Sequence, residues 1–260
     1  MEKTKIEWAD ATWNPVTGCY HDCMYCYARN MVHRFSGMTH VHSTKKSLIT
    51  ETLDKPFKLK DGKTRPYPFG FIPTFHRYKL DEYKNVKSKN IFVCSMADMF
   101  GEWVPDEWIE EILRSCEEAP QHRYLFLTKN PTRYVLLLLD GKLPEKDNMW
   151  YGISVTNKQQ ALRAETELSD MSPKAGAFIS VEPLLEDVSD ELRSVIGDFT
   201  DWVIIGAETG NRKGKVTPQP EWIHKIVEEA KEYNVPVFMK DSLIPIIGED
   251  QMLREFPWEE

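Results

Sequence analysis

Apolar runs alternate with amphipathic segments along the chain from residue 90 onward. Short, nearly continuous apolar runs are typical of strands that helices cover on both faces of a sheet. Such runs occupy residues 90–96, 122–129, 149–156, 176–184, 201–210 and 235–241. Segments with the apolar spacing of a helix lie between several of them, at residues 105–119, 131–140, 157–170 and 220–233. The pattern therefore predicts strands and helices in alternation.

This alternation predicts parallel strands joined by crossover helices. An upstream strand near residues 11–18 and a helix after Cys26 give six or seven strand–helix units. That number favours an α/β fold, a full or partial parallel barrel formed by a single domain over residues 1–260. A doubly wound open sheet is the alternative, because periodicity does not separate the two.

Composition narrows the class of protein. The 260 residues are 41% hydrophobic and 28% charged, which indicates a globular core. No apolar run has the length of a membrane span, and the N-terminal stretch is charged from its second residue, unlike a secretory signal. We therefore expect a cytoplasmic protein without a membrane partner. Thiols stay reduced in the cytoplasm, so clustered cysteines indicate metal ligands or catalytic groups.

Charge is distributed unevenly along the chain. The net charge of −8 argues against a protein that coats nucleic acid with its whole surface. Residues 41–90, however, contain twelve Lys/Arg and five Asp/Glu, a net of +7, which leaves −15 for the rest since −8 minus +7 is −15. This stretch belongs to a basic, aromatic insert at about residues 37–90, after the first helix. Such a composition suits a nucleotide or nucleic-acid substrate; a solvated, lysine-rich loop is the alternative.

Three of the five cysteines fall within eight positions, with the spacing C-x3-C-x2-C. They are Cys19, Cys23 and Cys26. A structural zinc site normally has four ligands in two pairs, and the sequence has no second C-x2-C. His21 lies inside the loop as a candidate fourth ligand, although an exposed loop histidine is the simpler interpretation. We expect Cys94 and Cys116, which stand alone, to be buried free thiols.

The cysteine loop resembles the cluster-binding signature of the radical S-adenosylmethionine (SAM) superfamily, including the aromatic Tyr25 just before the last cysteine. Further segments are similar to a phage- and prophage-associated branch of that superfamily, and together they cover nearly the whole chain. They are TWNPVTGC, CYA, SMADMF, LTKNP, GISV, SVEPLL, DWVIIGAETG and FMKD.

The resemblance implies a fold of the partial (β/α)6 barrel type, a cofactor set and a reaction. Cys19, Cys23 and Cys26 would hold a 4Fe-4S cluster whose fourth iron is open to SAM. An electron from a donor such as flavodoxin or ferredoxin would cleave SAM to methionine and a 5′-deoxyadenosyl radical, which abstracts hydrogen from a substrate. The alternative is a non-enzymatic zinc or nucleic-acid-binding module that uses the same loop. The radical enzyme should contain iron and cleave SAM, whereas the non-enzymatic module should do neither.

The resemblance also assigns cofactor-binding roles to residues that follow strand ends, where parallel α/β proteins gather their active sites. Tyr25 would lie near the adenine. The segment SMAD replaces a Gly-Gly-Glu type segment, so Ser95 and Asp98 would take over the methionine ammonium group. The remaining assignments are Ser154 and Glu182 for the carboxylate or ribose, and Gly206 for the adenine edge.

Three charged residues match no cofactor role in the superfamily. Lys129, Glu208 and Lys240 follow predicted strands and are candidates for catalytic groups on the substrate side. Structural ion pairs are the alternative interpretation for the same residues.

Overall fold

The structure, a computed structural model, describes residues 4–36, 49–168 and 175–259. The chain divides into a first unit, Met1–Phe126, and a second unit, Leu127–Glu260. The strands are β1 (Ala11–Trp13), β2 (Val16–Thr17), β3 (Glu51–Leu53), β4 (Thr74–His76), β5 (Asn90–Val93), β6 (Arg123–Thr128), β7 (Met149–Ser154), β8 (Gly176–Val181), β9 (Trp202–Ile205) and β10 (Val237–Met239). The α-helices are α1 (Tyr27–Ser36), α2 (Asp106–Glu117), α3 (Thr132–Leu139), α4 (Lys158–Leu168), α5 (Ser189–Phe199), α6 (Pro220–Glu232) and α7 (Ile244–Ile247).

The main sheet is parallel and follows the order of the chain. Among the described residues its seven strands have the order β1-β5-β6-β7-β8-β9-β10, and β6 runs across the boundary between the two units. A doubly wound sheet reverses its strand order at a switch point, whereas this order never reverses. The topology therefore confirms the predicted α/β fold of the partial (β/α)6 type.

Strand and helix positions follow the predicted alternation. The helices α1 to α6 each follow one strand of the main sheet. The strands β7, β8 and β9 are buried almost throughout, as expected for apolar runs. The helix α5 was not predicted, although its buried Leu192, Val195 and Ile196 have helical spacing. The strand predicted over 90–96 ends at Val93, because Cys94 turns the chain with a φ of 59°.

The helix α2 shows how the sequence determines these elements. Pro105 precedes it in an extended conformation, and Asp106 and Glu107 occupy its first turn, where carboxylates interact favourably with the helix dipole. Its buried side chains recur at helical spacing: Trp108, Ile109, Ile112, Leu113 and Cys116. One apolar face therefore packs into the first unit while the opposite face stays polar.

The insert between α1 and β5 has structure of its own. Its strands β3 and β4 pair in parallel, and β4 pairs antiparallel with β2 in a three-stranded sheet. Residues 37–48 of the predicted insert lie outside the described residues. Because β2 leads directly into Gly18, this small sheet supports the start of the cysteine loop.

None of the helices in the described part of the chain combines the length and the apolar character that a membrane crossing requires.

Candidate functional site

The three loop cysteines lie between β2 and the first turn of α1 in the first unit. Cys19, Cys23 and Cys26 are all half-buried free thiols. The backbone N–H of Cys26 donates to the Cys23 carbonyl at 3.2 Å, and the N–H of Arg29 donates to the Cys26 sulfur at 3.4 Å. The sulfur of the last cysteine is therefore held by the first turn of α1.

Gly18 fixes the entry to this loop. Its φ is +89°, and a Cβ placed on it would lie 2.4 Å from the Ile72 carbonyl oxygen. The Gly18 N–H donates to the Met96 carbonyl at 3.0 Å, and the Cys19 N–H donates to the Phe71 carbonyl at 3.3 Å. The chain therefore passes between two other backbone segments at this point, and only glycine fits both the conformation and the space.

His21 and Asp98 join the cysteine loop to the segment after β5. The Nε2 atom of His21 lies 2.7 Å from the Asp98 carboxylate, and the Phe100 N–H donates to the same carboxylate at 3.0 Å. The His21 ring also packs edge-on against Trp103, with centroids 4.8 Å apart. The interpretation of His21 as an exposed loop residue was wrong, since only 22% of its side chain is exposed and it has a carboxylate partner.

Asn14 binds the first two residues of the segment 95–98, which follows β5. Its side-chain oxygen accepts hydrogen bonds from the Ser95 hydroxyl at 3.1 Å and from the Met96 N–H at 3.0 Å. The Tyr27 hydroxyl donates to the Ser95 carbonyl at 2.5 Å. Ser95 is thus tied through Asn14 to the connection between β1 and β2, and through Tyr27 to the start of α1. Tyr25 is half-buried within the loop.

The three free thiols of the loop are a donor set that fits an iron–sulfur cluster. Burial raises the pKa of the Cys19 thiol to about 12, with Asp98 acting in the same direction, so a cation is needed to hold its thiolate at neutral pH. Across residues 4–36, 49–168 and 175–259, no group of three His, Cys, Asp or Glu side chains is arranged to hold one metal ion. Three cysteines of a four-iron cluster each bind a different iron and need no such convergence.

The two remaining thiols, Cys94 and Cys116, are buried, which confirms the prediction for them.

Half-buried Lys129 and two buried serines, Ser154 and Ser180, are polar residues at the ends of neighbouring strands of the second unit. The Lys129 ammonium donates to the Ser154 hydroxyl at 2.7 Å, just after β6 and at the end of β7. Ser180 is the register partner of Ser154 on β8, so both side chains are on the same side of the sheet. Ser180 is 1% exposed, and its hydroxyl has no hydrogen-bond partner among the described residues. A buried hydroxyl of this kind has an unused capacity to bind a polar ligand group.

Glu182 and Lys240 form an ion pair beside Gly206. A Cβ on Gly206 would lie 3.1 Å from the Glu182 Cγ and 3.1 Å from the Lys240 Cδ, so the glycine leaves room for the pair. The three residues directly follow β8, β10 and β9, respectively. The sequence analysis assigned Glu182 to cofactor binding and Lys240 to the substrate side, whereas in the structure the two side chains contact each other.

Glu208 is held in a two-point ion pair. Its carboxylate oxygens accept hydrogen bonds from Arg212 Nε at 2.6 Å and from Arg212 Nη2 at 2.7 Å, and its side chain is 2% exposed. Hydrogen bonding to Arg212 lowers the pKa of Glu208 below its ordinary range. This geometry favours the structural ion pair among the two interpretations of Glu208.

The predicted residues therefore form two sets, one in each unit. The first contains the cysteines with Tyr25, Ser95 and Asp98, and the second contains the residues from Lys129 to Lys240. Sequence reasoning missed Asn14 and Ser180. Asn14 stands in the quoted segment TWNPVTGC, so a signal existed, whereas Ser180 is one polar residue within a buried strand.

The fold is similar to solved structures of spore photoproduct lyase. A cysteine-to-alanine mutant with dinucleoside spore photoproduct matches with a TM-score of 0.56 at 10% identity, over 92% of this chain and 78% of that chain. A double mutant with bound AdoMet and dinucleoside spore photoproduct matches with a TM-score of 0.50 at 11% identity, over 89% of this chain and 64% of that chain. At this sequence identity the matches show that the chain shares its fold with these structures.

A family model described as protein of unknown function (DUF5131) matches residues 3–243, and the chain belongs to this family. No curated protein matches the chain.

Proposed function

We propose that this protein is a radical SAM enzyme that acts on a nucleotide or a nucleic-acid base. The observation that carries the proposal is the loop of three free cysteines between β2 and α1, in a chain with the strand order of a partial (β/α)6 barrel. Solved structures of spore photoproduct lyase with the same fold hold AdoMet and a dinucleoside photoproduct. Their ligands support the choice of cofactor and of substrate class.

Cys19, Cys23 and Cys26 would hold the 4Fe-4S cluster through their thiolates. When bound, the cluster supplies the electron that cleaves SAM to methionine and a 5′-deoxyadenosyl radical, which takes a hydrogen atom from the substrate. Within the chain, Gly18 fixes the position of Cys19 between the Phe71 and Met96 carbonyls. The amide of Arg29 holds the sulfur of Cys26.

The segment after β5 would bind the methionine end of SAM. The Asp98 carboxylate is buried, so it interacts strongly with an ammonium group. Its contact with His21 connects it to the loop that carries the cysteines. Ser95 is positioned by Asn14 and supplies a second polar contact, and Tyr25 would lie against the adenine.

Hydroxyl and carboxylate groups at the carboxyl ends of β7 and β8 would bind the remainder of SAM. We assign Ser154 and Glu182 to the carboxylate or the ribose, and Gly206 to the adenine edge. The unpartnered hydroxyl of Ser180 beside Ser154 supports a polar ligand in this position. Ser180 is therefore added to this set of cofactor contacts.

The charged residues Lys129, Lys240 and Glu208 are assigned to the substrate side. Lys129 and Lys240 present ammonium groups next to Ser154 and Glu182, where they would interact with an anionic substrate. Both oxygens of Glu208 bind Arg212, so this carboxylate would act by shaping the loop after β9 rather than by proton transfer.

The wider assignments are part of the same proposal. We place the protein in the cytoplasm, as a single functional domain over residues 1–260, with flavodoxin or ferredoxin as its electron donor. We also place it in a phage- and prophage-associated branch of the superfamily, an assignment that would suit nucleic-acid chemistry.

The test is anaerobic purification followed by reconstitution with iron and sulfide. We expect brown protein with about four irons per chain, the content of one full cluster, and release of 5′-deoxyadenosine from SAM after reduction. The assay is repeated with nucleosides and oligonucleotides to identify the substrate. Colourless protein with one zinc and no SAM cleavage would instead establish the non-enzymatic module.

Replacement of Cys23 tests the ligand assignment. Cys23→Ala should abolish both the cluster and SAM cleavage. Cys116→Ala removes a buried thiol from α2 and is the matched control, which should retain the iron content of the wild-type protein. Retention of a full cluster or of turnover by Cys23→Ala contradicts the assignment.

A further inference from the structure

An exposed β-hairpin projects from the insert of the first unit. It comprises residues 55–65, and we call it the basic hairpin. Lys58 and Thr64 pair across it, the Leu59 N–H donates to the Lys63 carbonyl at 2.8 Å, and the Arg65 N–H donates to the Phe57 carbonyl at 2.9 Å. Every residue from Lys55 to Thr64 is exposed. The hairpin therefore presents its side chains to solvent.

The turn of the basic hairpin is encoded by three residues. Between Leu59 and Lys63 lie Lys60, Asp61 and Gly62, and Gly62 has a φ of +83°. A three-residue hairpin loop commonly places glycine at this left-handed position. The Asp61 carboxylate accepts a hydrogen bond from the Lys63 N–H at 3.0 Å, which closes the turn. The hairpin is thus a defined structure and not an irregular loop.

Its charge is strongly positive. Residues 55–65 contain five Lys/Arg and one Asp, a net of +4, which leaves −12 for the rest of the chain since −8 minus +4 is −12. Lys63 forms an ion pair with Asp61 at 3.4 Å. Within the described residues, Lys55, Lys58 and Lys60 have no carboxylate partner. Cations without partners on an exposed hairpin are available to bind an anion.

One face of the basic hairpin combines apolar and cationic side chains. Because side chains alternate along a strand, Phe57 and Leu59 lie on the same face as their cross-strand partners Arg65 and Lys63. The side chains of Phe57 and Leu59 are 38% and 37% exposed. Nucleic-acid strands are bound by this combination, since cations contact the phosphates and an aromatic ring stacks on a base.

The hairpin is connected to the cysteine loop by packing within the first unit. Phe57 contacts Phe69 edge-on, with centroids 6.3 Å apart. Two residues further on, the Phe71 carbonyl accepts the Cys19 N–H, and the Phe71 ring packs with Cys26 against a cluster of buried residues. A strand bound to the hairpin would therefore lie beside the loop assigned to the cluster.

We propose that the basic hairpin binds the sugar–phosphate backbone of a nucleic acid and so holds the substrate near the cysteine loop. This inference rests on the proposed function and makes its substrate a polynucleotide rather than a free nucleotide. Lys63 and Arg65 bind phosphates on the face that carries Phe57, and Phe57 stacks on a base. Lys58 on the opposite face and Lys60 in the turn bind further phosphates. The chain outside residues 41–90 carries −15 and repels the polyanion, so contact centres on the hairpin as an exposed basic element of the insert.

The test is the affinity of the reconstituted, full-length protein for a fluorescein-labelled single-stranded oligonucleotide, measured by fluorescence anisotropy between about 50 and 200 mM salt. Lys58, Lys60 and Lys63 are all replaced by alanine in one variant. Loss of three phosphate contacts should reduce the slope of log Kd against log salt by about 2. The Kd at low salt should rise at least about tenfold, and circular dichroism should show that the fold is retained.

The matched control removes three exposed lysines elsewhere, as Lys5→Ala, Lys87→Ala and Lys231→Ala together. This variant has the same net charge, and its affinity should stay close to that of the wild type. An unchanged slope in the hairpin variant overturns the proposal, as does an equal loss in the control. No oligonucleotide binding by the wild-type protein at low salt, or stronger competition by an acidic peptide, also overturns it.

A second readout separates this inference from the proposed function. Release of 5′-deoxyadenosine from SAM is measured on the same preparations. Wild-type cleavage of SAM without hairpin-dependent binding removes only the hairpin assignment. Hairpin-dependent binding by protein that forms no cluster removes the radical enzyme and leaves the nucleic-acid surface in place.

Discussion

Substitution of Gly18 by alanine tests how the cysteine loop is held. At this position a Cβ would lie 2.4 Å from the Ile72 carbonyl oxygen and 2.7 Å from the Phe71 carbonyl oxygen, both of them backbone atoms. The Phe71 carbonyl is also the acceptor for the Cys19 N–H. The contact cannot be relieved by a side-chain rotation, so the backbone must move at the residue that precedes the first cysteine.

Two effects determine how much Gly18→Ala lowers the free energy of unfolding. Alanine in the left-handed region costs roughly 1–2 kcal/mol, and overpacking that forces a backbone shift costs about 1–3 kcal/mol more. Gly141→Ala is the matched control, because Gly141 has a φ of +66° but no atom within 4 Å of the added Cβ. Gly141→Ala should therefore show only the first effect. The difference between the two variants, about 1–3 kcal/mol, measures the steric contact at the loop entry.

Urea unfolding followed by tryptophan fluorescence measures the free energies, and iron analysis after reconstitution measures the consequence for the cluster. We expect Gly18→Ala to be the less stable variant and to bind less iron, while Gly141→Ala keeps its full iron content. Equal free energies of unfolding for the two variants, together with full iron in Gly18→Ala, would refute the steric reasoning.

Two further substitutions test the second unit. Glu208→Gln should lower the free energy of unfolding at pH 7 by about 1.5–3 kcal/mol, the range for a hydrogen bond to a charged group. Arg212 lowers the folded-state pKa of Glu208 below its ordinary value of 4.5, so this stability is present above pH 4.5 and is lost as the pH falls through the folded-state pKa. Urea titrations at several pH values should show this contribution in the wild-type protein and not in the variant. An identical pH profile of stability in the two proteins would argue against the ion pair. Ser180→Ala breaks no hydrogen bond within the described residues, so the free energy of unfolding should change by less than about 0.5 kcal/mol. SAM affinity, measured by equilibrium dialysis, should fall roughly 2- to 12-fold for one lost hydrogen bond, and unchanged affinity would remove Ser180 from the cofactor contacts.

The sheet could be predicted because burial on both faces leaves a local signal. The strands β7, β8 and β9 are apolar almost throughout, so each is visible in a short window of sequence. The helix α5 carries the same kind of signal in Leu192, Val195 and Ile196, and a count of helical spacing would have found it. Predicting the strand order requires one further rule: strands joined by a short crossover usually lie next to each other in the sheet.

The supports of the cysteine loop could not be predicted in the same way. The cysteine spacing is local, but the Asn14 side chain binds Met96 across 82 residues, and His21 binds Asp98 across 77 residues. Such contacts depend on which strands become neighbours, and no periodicity encodes that. The same reason explains the error at His21, since an isolated polar residue in a loop gives no sign of the carboxylate that the fold brings to it.

The distribution of charge has a consequence for how a polynucleotide can bind. A protein that is basic overall gains affinity with each additional nucleotide, because every phosphate meets a favourable potential. Here the basic hairpin carries +4 and the rest of residues 41–90 another +3, whereas the chain outside residues 41–90 carries −15, so phosphates beyond the insert meet repulsion. Affinity should therefore level off once the oligonucleotide spans the insert, and a duplex, with twice the phosphate density, should gain little over a single strand. A short single-stranded segment, with its bases unstacked, is also the form in which a base is accessible to chemistry.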